Sequence, residues 1–358
     1  MVNFIILDLF CGAGGFSYGF EKNPKFKTVL ANDIDSKAIK TFSNNISGCK
    51  TILGDISDSK TKKELVRQSK KANVNMIIGG PPCQGFSLKG KNLGLKDNRN
   101  FLFREFLSIV RDVQPEIFII ENVKNILSSS SGWFKNQILS EVSNLGYNCN
   151  CGVLNAKYFY VPQSRERAFF ICSKSKNVDM PKALCNKPVT VREAIEDLSF
   201  LNSGEGSFKQ EYKFKPKSKY QIMMRGEEKF IFNHVASNHK KVALKKLELI
   251  PAEKGKEYLP KEMLGKQQYN TTWSRLVWDD ASPTIDTRFD ACSNGKNIHP
   301  YLHRAITARE AARIQSFDDS FIFYGNKVDV RKQIGNAVPP LLAKAIADKI
   351  DEVYRKRS

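Results

Sequence analysis

The chain has 358 residues, 41% of them hydrophobic and 26% charged, and no apolar run approaches the roughly 18 residues of a membrane-spanning helix. We expect a globular protein with one large domain and a smaller one. The 57 Lys and Arg residues outnumber the 37 Asp and Glu residues and give a net charge of +20. A solvated surface explains a few units of charge, whereas an excess of this size favours a polyanionic partner, above all nucleic acid.

The cysteine pattern argues against a metal site. The eight cysteines include no C-x-x-C pair, and only four histidines could join them as ligands, so we predict no structural zinc. The apolar segment from Met1 to Phe10 contains Asp8 and lacks a basic region, which predicts a first strand and not a signal peptide. Scattered cysteines without a signal peptide indicate a reducing cytosol.

A glycine loop follows the first strand. Gly12 and Gly14 would let the backbone pass close beneath a ligand at a helix N-terminus, although such turns also occur without ligands. The spacing favours a ligand-binding loop, because a second strand over Val29 to Ala31 leads to Asp33, about twenty residues after the loop. An acidic side chain there can accept both ribose hydroxyls, so the pattern predicts the adenosine half of a cofactor.

A third strand follows a helix that the sequence predicts over Asp35 to Ser43. It covers Lys50 to Leu53 and leads to Asp55 and Ile56. Asp55 can accept a hydrogen bond from an adenine amino group while Ile56 packs on the ring. The alternative is that Asp55 only caps the next helix, which is predicted over Lys60 to Lys71.

The fourth strand ends in the segment Gly-Gly-Pro-Pro-Cys-Gln-Gly-Phe-Ser, residues 79–87. Its prolines exclude helix and further strand pairing, and its glycines let the backbone approach a ligand. A thiol at the carboxyl end of a strand is well placed for chemistry, so Cys83 is the candidate nucleophile, with a buried structural cysteine as the alternative. The loop from Gln84 to Arg99 is a natural lid.

A carboxylate and two arginines come later in the chain. After a helix over Asp97 to Val110, a buried strand over Ile117 to Ile120 ends in Glu121, which suits acid chemistry unless it is a cap or a surface charge. Arg165 and Arg167 flank Glu166 and could form a surface salt bridge. An arginine that enters a buried strand from a loop can also point to the sheet edge of Cys83 and Glu121.

The ordered motifs together resemble the cytosine-5 DNA methyltransferase family, of the bacterial restriction-modification type. Each motif alone is modest, but five in the family's order and spacing make chance improbable, and they cover the chain apart from a central stretch. The segments are Asp8 to Gly15, Gly79 to Gln84, Glu121 to Val123, Gln163 to Arg167, and Gln333 to Pro340.

The resemblance implies an α/β fold, a Rossmann-like S-adenosylmethionine-dependent methyltransferase sheet with helices on both faces plus a smaller target-recognition domain. We assign residues 1–185 to the catalytic and cofactor-binding domain and 186–324 to the target-recognition domain and hinge. Residues 325–358 return to complete the catalytic domain. The implied cofactor is S-adenosylmethionine, with S-adenosylhomocysteine as product. The cofactor-binding positions are Phe10, Gly12, Gly14, Asp33, Ile34, Asp55, Ile56, Pro82, Leu102, Asn336 and Val338.

The resemblance also implies the chemistry. A Cys83 thiolate adds to carbon 6 of a flipped-out cytosine, protonated Glu121 hydrogen-bonds ring nitrogen 3, and Arg167 holds the exocyclic oxygen, with Arg165 in the same motif. Carbon 5 then takes the methyl group. We expect a cytosolic monomer that acts on double-stranded DNA, without a metal or a membrane, beside a possible restriction endonuclease that acts independently.

Basic and aromatic residues alternate in the central segment. Lys213, Lys215, Lys217 and Lys219 alternate with Phe214, Pro216 and Tyr220, a composition that suits DNA contact, with a solvated loop as the alternative. We also assign Gln84 and Ser87 to DNA binding. Ser282 to Ile285 predicts the start of a strand, and Thr307 with Glu310 predicts a capping box.

Two rival functions also fit parts of this sequence. One is an RNA methyltransferase on the same scaffold, but the tRNA-directed relatives carry a Cys-Phe-Thr signature that this sequence lacks. The other is a nucleotide-binding protein without methyltransferase activity, either an NAD oxidoreductase or an inactive DNA-binding homologue. Intact Cys83, Glu121 and Arg167 argue against it.

Overall fold

The structure is a computed structural model that describes residues 3–82, 102–265 and 270–355. The chain divides into two compact units, which we call unit 1 and unit 2. Unit 1 comprises Met1–Asn155, Glu166–Ala183 and Pro340–Ser358, and unit 2 comprises Ala156–Arg165 and Leu184–Pro339. Unit 1 contains the large sheet, and unit 2 contains a two-stranded sheet. In the described part of the chain, no helix is long and apolar enough to cross a membrane.

Nine strands are described. They are β1 (Phe4–Leu9), β2 (Phe26–Asp33), β3 (Lys50–Leu53), β4 (Met76–Gly79), β5 (Ile117–Val123), β6 (Asn148–Asn155), β7 (Glu166–Ser173), β8 (Gly206–Glu211) and β9 (Phe230–Val235). The strands predicted from the sequence in the first 173 residues are confirmed, with small differences in their ends.

The α-helices of the described residues are α1 (Gly15–Glu21), α2 (Ser36–Asn45), α3 (Ser59–Lys71), α4 (Leu102–Val113), α5 (Trp133–Asn144), α6 (Val191–Ile195), α7 (Lys219–Arg225), α8 (Lys241–Leu249), α9 (Lys261–Leu264), α10 (Ala308–Ile314), α11 (Lys327–Asn336) and α12 (Pro340–Arg355). Short 3-10 helices cover Lys124–Leu127, Ser129–Gly132, Ala156–Phe159, Glu196–Leu198 and Lys256–Tyr258.

The seven-stranded sheet of unit 1 has the order β3-β2-β1-β4-β5-β7-β6. Strands β1 to β5 pair in parallel, whereas β7 runs antiparallel to both β5 and β6. The residues of β4 and the first four residues of β5 are apolar or glycine and buried throughout, as expected for central strands covered on both faces. The chain order reverses between β1 and β4, and ligands of open α/β sheets bind at such a switch point, beyond the carboxyl ends of the strands.

The last described helix, α12, packs against the first, α1. A β-carbon added at Gly19 would lie 2.3 Å from the Pro340 carbonyl oxygen, so only glycine permits this approach. The Asn23 side-chain amide donates to Asp348 at 3.0 Å and to Asp351 at 3.2 Å. Residues 340–355 are therefore a structural part of unit 1.

Buried ion pairs hold unit 2 together around α10. Arg304 makes two 2.7 Å hydrogen bonds to Glu310, and Arg313 pairs with Asp197 at 2.7 Å and with Asp319 at 2.6 Å. All five side chains are fully buried. Pairing of this quality is what allows charges to persist away from water.

Two sequence predictions in unit 2 have opposite outcomes. The capping box is confirmed, because the Thr307 side chain accepts from the backbone of Glu310 and the Glu310 carboxylate accepts from the Thr307 backbone. The strand predicted from Ser282 is wrong. Ser282 makes only an isolated bridge with Gln163, and the next residue, Pro283, has no N–H group to continue a ladder.

Candidate active site at the carboxyl ends of the parallel strands

The loop between β1 and α1 has the left-handed backbone that glycine favours. Gly12 has φ 53° and Gly14 has φ 96°, and a β-carbon on Gly14 would lie 2.7 Å from the side chain of Ile46. Phe10 adopts φ 56° without being glycine. The N-cap residue of α1, Gly14, has no side chain that could cap the helix, and the Asp8 carboxylate accepts from the Ser17 backbone in the first turn.

Asp33 braces this loop from the end of β2. Its carboxylate accepts from the Gly12 N–H at 2.8 Å and from the Asp35 N–H at 2.9 Å. Burial raises the pKa of Asp33, and these two hydrogen bonds oppose that rise. The residue predicted to bind ribose thus also fixes the glycine loop.

An apolar ledge lies beside Asp33. Ile34 is 69% exposed, and Leu53, the register partner of Asp33 on β3, is 55% exposed. Ile56, predicted to pack on an adenine ring, is instead buried in the main core of unit 1, so Ile34 and Leu53 offer the accessible apolar surface. Asp55 does not cap α3, because Asp58 does so, and the alternative that we weighed for Asp55 is wrong.

Asp55 forms a tight local turn of its own. Its carboxylate accepts from the backbone N–H and the hydroxyl of Ser57, at 2.8 and 2.7 Å. Asp55 is exposed and lies two residues after Leu53, the last residue of β3.

The end of β4 is packed tightly against its neighbours. A β-carbon on Gly79 would lie 2.3 Å from the Leu9 carbonyl oxygen, and one on Gly80 would lie 2.9 Å from Oε2 of Glu121. The side-chain amide of Asn122 donates to the Pro81 carbonyl at 2.9 Å in a buried hydrogen bond. The backbone that leads to residue 83 is therefore fixed directly beside Glu121.

Three predicted site residues, Cys83, Gln84 and Ser87, lie outside the described residues. Pro82, the last described residue before them, is half-buried. Leu102, the first residue of α4, is also half-buried and packs against the core of unit 1.

Glu121 and Arg167 form an ion pair. Arg167 Nε lies 3.1 Å from Glu121 Oε1, and the side chains are only 16% and 12% exposed. Burial lowers the pKa of Arg167, and the Glu121 carboxylate opposes that change. The antiparallel course of β7 explains the meeting, since it places Arg167 opposite Val123 at the carboxyl end of β5.

The sequence also allowed a surface salt bridge of Glu166 with Arg165 or Arg167, and this alternative is wrong. Glu166 pairs with Lys124 at 2.6 Å on an exposed surface. Arg167 contacts Glu166 only through the Glu166 backbone carbonyl, to which it donates at 2.8 Å. The two acids at the end of β5 and the start of β7 thus have different environments, one buried and one solvated.

Arg165 belongs to unit 2 and is fully buried there. Its guanidinium donates to the carbonyls of Ile285 at 3.0 Å and Gly335 at 2.8 Å. These contacts connect separate backbone segments of unit 2 and indicate a structural role. Asn336 and Val338, predicted to contact the cofactor, are also in unit 2, where Asn336 is exposed and Val338 is buried.

The four lysines assigned to DNA are all exposed in unit 2. Lys213 lies over the Phe200 ring at 5.3 Å, and Lys217 pairs with Glu196 at 3.4 Å. Lys219 begins α7, directly after the helix cap Ser218.

Sequence reasoning missed three polar residues that shape the site. Asp8 accepts a 2.6 Å hydrogen bond from the Ser17 hydroxyl beneath the glycine loop, and burial raises the pKa of Asp8 to about 7. Asn32 donates to the Ile52 and Gly54 carbonyls and fixes the end of β3. Asn122 holds Pro81, as described above. A polar residue inside an apolar strand was the available signal in each case.

The order of the sheet, the glycine loop after β1 and the acids at the ends of β2 and β5 define an S-adenosylmethionine-dependent methyltransferase fold. The sequence profile of the C-5 cytosine-specific DNA methylase family matches residues 4–352. The chain belongs to this family, and it is a DNA (cytosine-5-)-methyltransferase.

Individual relatives agree with this assignment. The type II methyltransferase M.DdeI of Desulfomicrobium norvegicum is 37% identical over 96% of this chain and 88% of its own length. The type II methyltransferase M1.HphI of Haemophilus parahaemolyticus is 34% identical over 96% of this chain and 86% of its own. A crystal structure of a candidate DNA modification methyltransferase encoded within an E. coli prophage superposes with a TM-score of 0.79, at 26% identity, over 99% of this chain and 100% of that one.

Proposed function

We propose that this enzyme transfers a methyl group from S-adenosylmethionine to carbon 5 of a flipped-out cytosine in a specific double-stranded DNA sequence, through a covalent adduct with Cys83. The observation that supports this most is the Glu121–Arg167 pair, which lies beside the Gly79–Pro82 backbone that leads to Cys83.

The residues at the ends of β1, β2 and β3 fit the proposed cofactor. The left-handed glycine loop lets backbone approach a ligand, the Asp33 carboxylate can accept ribose hydroxyls, and the ledge of Ile34 and Leu53 suits an adenine ring. Bound S-adenosylmethionine supplies an electrophilic methyl group. Asn336 and Val338 are proposed to contact its methionine end.

The chain's own residues prepare the cytosine for this transfer. The Cys83 thiolate forms a bond to carbon 6, while protonated Glu121 hydrogen-bonds ring nitrogen 3 and Arg167 holds the exocyclic oxygen. Carbon 5, now nucleophilic, takes the methyl group and then loses its proton to a base. Loss of the Cys83 thiolate restores the ring and leaves S-adenosylhomocysteine as the second product.

The proposed partner is double-stranded DNA, and the proposed role is protection of a target sequence. Double-stranded DNA suits the net charge of +20. We propose that a cytosolic monomer protects its target sequence, either beside an independently acting restriction endonuclease or as an orphan relative. In this proposal residues 1–185 carry the chemistry, 186–324 read the sequence, and 325–358 complete the catalytic domain, of which residues 340–358 belong to unit 1 and residues 325–339 to unit 2.

The test combines Cys83→Ser with a mechanism-based trap. Labelled methyl transfer is measured on duplex DNA and on tRNA, and a duplex with 5-fluorocytosine at the target should form a covalent adduct with the unaltered enzyme, because fluorine cannot leave as a proton. Cys83→Ser should abolish transfer and trapping. The matched control Cys185→Ser changes a half-buried cysteine of unit 2 and should retain both. Turnover by Cys83→Ser, or transfer only to tRNA, would contradict the proposal.

A further inference from the structure

Three cysteines of unit 1 lie close together at one edge of the large sheet. Cys149 and Cys151 are on the edge strand β6, and Cys172 is on the neighbouring strand β7. Because Cys149 and Cys151 are two positions apart on a strand, their side chains point to the same face of the sheet. Both pack against the main core of unit 1, to which Cys172 belongs. The proposed methyl transfer uses none of these three thiols.

Two of these cysteines are directly opposite each other. Cys149 and Cys172 are register partners in the antiparallel pair of β6 and β7, although they are 23 residues apart in the chain. Their Sγ atoms lie 2.6 Å apart. Opposite residues of antiparallel strands have Cα atoms about 4.5 or about 5.5 Å apart, and both distances fall within the roughly 4.4–6.8 Å that a disulfide spans. The backbone therefore already has the spacing that a bond between these two sulfurs requires.

Cys151 is less well placed for a bond to Cys172. The register partner of Cys151 is Phe170, so Cys151 is a diagonal neighbour of Cys172. Diagonal neighbours lie about 7–8 Å apart, and a disulfide between them would require the backbone to move. The register of the sheet therefore selects Cys149 as the partner of Cys172.

The two opposed cysteines differ in their access to solvent. Cys172 is fully buried, with Phe118 of β5 as its other register partner, and burial holds the pKa of its thiol well above the usual value. Cys149 is only half-buried. Because oxidation follows exposure and thiolate character, an oxidant in solution reacts first with Cys149, and Cys172 reacts afterwards inside the protein.

We propose that Cys149 and Cys172 form a reversible disulfide when the protein meets a hydroperoxide. The Cys149 thiolate attacks one peroxide oxygen, the O–O bond breaks, the other oxygen leaves and takes up a proton, and Cys149 becomes a sulfenic acid. The Cys172 sulfur then attacks the Cys149 sulfur, and the sulfenic hydroxyl leaves with the Cys172 proton as water. The two cysteines lose two electrons and the peroxide gains them. Two equivalents of a small thiol restore both cysteines by exchange and become a disulfide themselves.

This bond has a measurable structural effect. It joins the edge strand β6 to β7, the strand that contains Arg167. It also closes a loop between positions 23 residues apart, which restricts the unfolded chain far more than the folded one. Oxidation therefore stabilises unit 1. In reducing surroundings both cysteines remain thiols, so the bond is a transient response to an oxidant.

The test exposes the full-length protein to hydrogen peroxide in a Cys83→Ser background, so that oxidation of the proposed nucleophile does not contribute. Peptide mass spectrometry should find a cross-link between Cys149 and Cys172. The melting temperature should rise by at least about 5 °C, because the disulfide constrains the unfolded chain. Dithiothreitol should reverse both changes.

A matched pair of variants identifies the reacting thiol. Cys149→Ser should abolish both the cross-link and the rise in melting temperature. Cys151→Ser removes another half-buried thiol of the same strand and should retain both.

The cross-link in the parent protein decides the assignment even if a variant folds poorly. Absence of the cross-link after peroxide treatment, or a cross-link that contains Cys151 in place of Cys149, would overturn it. An equal rise in melting temperature in Cys149→Ser would also contradict the proposal. Every protein compared contains Cys83→Ser, so the result is independent of the proposed methyl transfer.

Discussion

The Glu121 carboxylate is confined on two sides. Arg167 Nε lies 3.1 Å from one oxygen, and the backbone of Gly80 leaves no room for a β-carbon beside the other. The proposed chemistry needs a proton on this carboxyl group when charge develops on the base.

Glu121→Gln tests this residue. The amide keeps the shape of the side chain but cannot transfer a proton, so methyl transfer should fall at least about 100-fold while DNA binding is retained. Glu166→Gln is the control, because Glu166 is an exposed acid paired with Lys124. It should remain within about twofold of the unaltered rate, as expected for a solvated pair. Full activity in Glu121→Gln would remove Glu121 from the mechanism.

The different roles of the two arginines could not be predicted from the sequence. Arg165 and Arg167 stand in one short motif, and both were predicted to act in catalysis. The structure places Arg167 beside Glu121, and it places Arg165 against carbonyls that are 120 and 170 residues away in the chain. Local spacing contains no information about such distant partners, so the two roles could not be distinguished.

At the scale of elements, the end of β4 predicts different effects for two adjacent glycines. Gly79→Ala sets a β-carbon against the backbone of β1, which cannot move without breaking the sheet, so the melting temperature should fall by several degrees. Gly80→Ala sets its β-carbon 2.9 Å from the Glu121 side chain and at an ordinary 3.7 Å from the Glu121 carbonyl oxygen, so methyl transfer should fall while the melting temperature changes little.

Gly152→Ala on the edge strand β6 is the control for both variants. Its β-carbon would lie 3.2 Å from the flexible side chain of Met180, which can move aside, so activity and melting temperature should both be retained. A Gly79→Ala protein that melts like the unaltered enzyme would show that the β1–β4 contact is looser than the structure indicates.

The contact between β9 and α10 predicts a dependence of stability on pH. Both ring nitrogens of His234 are hydrogen-bonded, to Thr307 Oγ1 at 2.9 Å and to the Leu198 carbonyl at 3.0 Å. Burial lowers the pKa of His234 from 6.5 to about 4. Below pH 6.5 the unfolded chain binds more protons than the folded one. The contribution of neutral His234 to the free energy of unfolding is therefore present above pH 6.5 and is lost as pH falls towards 4.

The measurement compares urea unfolding of the unaltered protein and His234→Gln between about pH 7.5 and about pH 4.5. The variant lacks the titrating group, so the unfolding free energy of the unaltered protein should fall relative to that of the variant by about 2.5 kcal/mol over this pH range. Asp8, whose pKa is raised to about 7, affects the pH dependence of stability in the opposite direction. Its effect is the same in both proteins and cancels when their unfolding free energies are subtracted. Parallel curves would show that His234 does not titrate in this way.

Helix α10 also shows which part of an element can be predicted. The cap of α10 could be predicted, because Thr307 and Glu310 are three residues apart and the capping box is local. The burial of α10 could not be predicted. Arg309 and Arg313 count as solvent-facing in any hydrophobic pattern, yet both are fully buried, with Asp319 as a shared partner.

For the whole molecule, the succession of strands, loops and helices in the first half of the chain was predictable, because apolar runs and glycine loops are local signals. The position of β7 between β5 and β6 could not be predicted. The loop that joins β6 to β7, residues 156–165, belongs to unit 2, so the hairpin is not a short local connection that turn residues would reveal.

Exchange of residues 186–324 for the corresponding segment of a relative with another target tests the proposed division of labour. Target sequence should change while affinity for S-adenosylmethionine stays the same. Arg165 lies outside the exchanged segment and contacts Ile285 through its carbonyl, which any residue supplies, so this contact should survive. An active chimera that still methylates the original sequence would place specificity elsewhere, most plausibly in the loop after Cys83.

The packing of α12 on α1 has a consequence for biosynthesis. The surface of α1 around Gly19 is completed by Pro340 and Ala343, more than three hundred residues later in the chain. A ribosome adds residues in order, so nascent unit 1 waits with this apolar surface uncovered while all of unit 2 is translated. Unit 1 can therefore complete the packing of α1 only after residues 340–355 have been synthesised, at the end of translation.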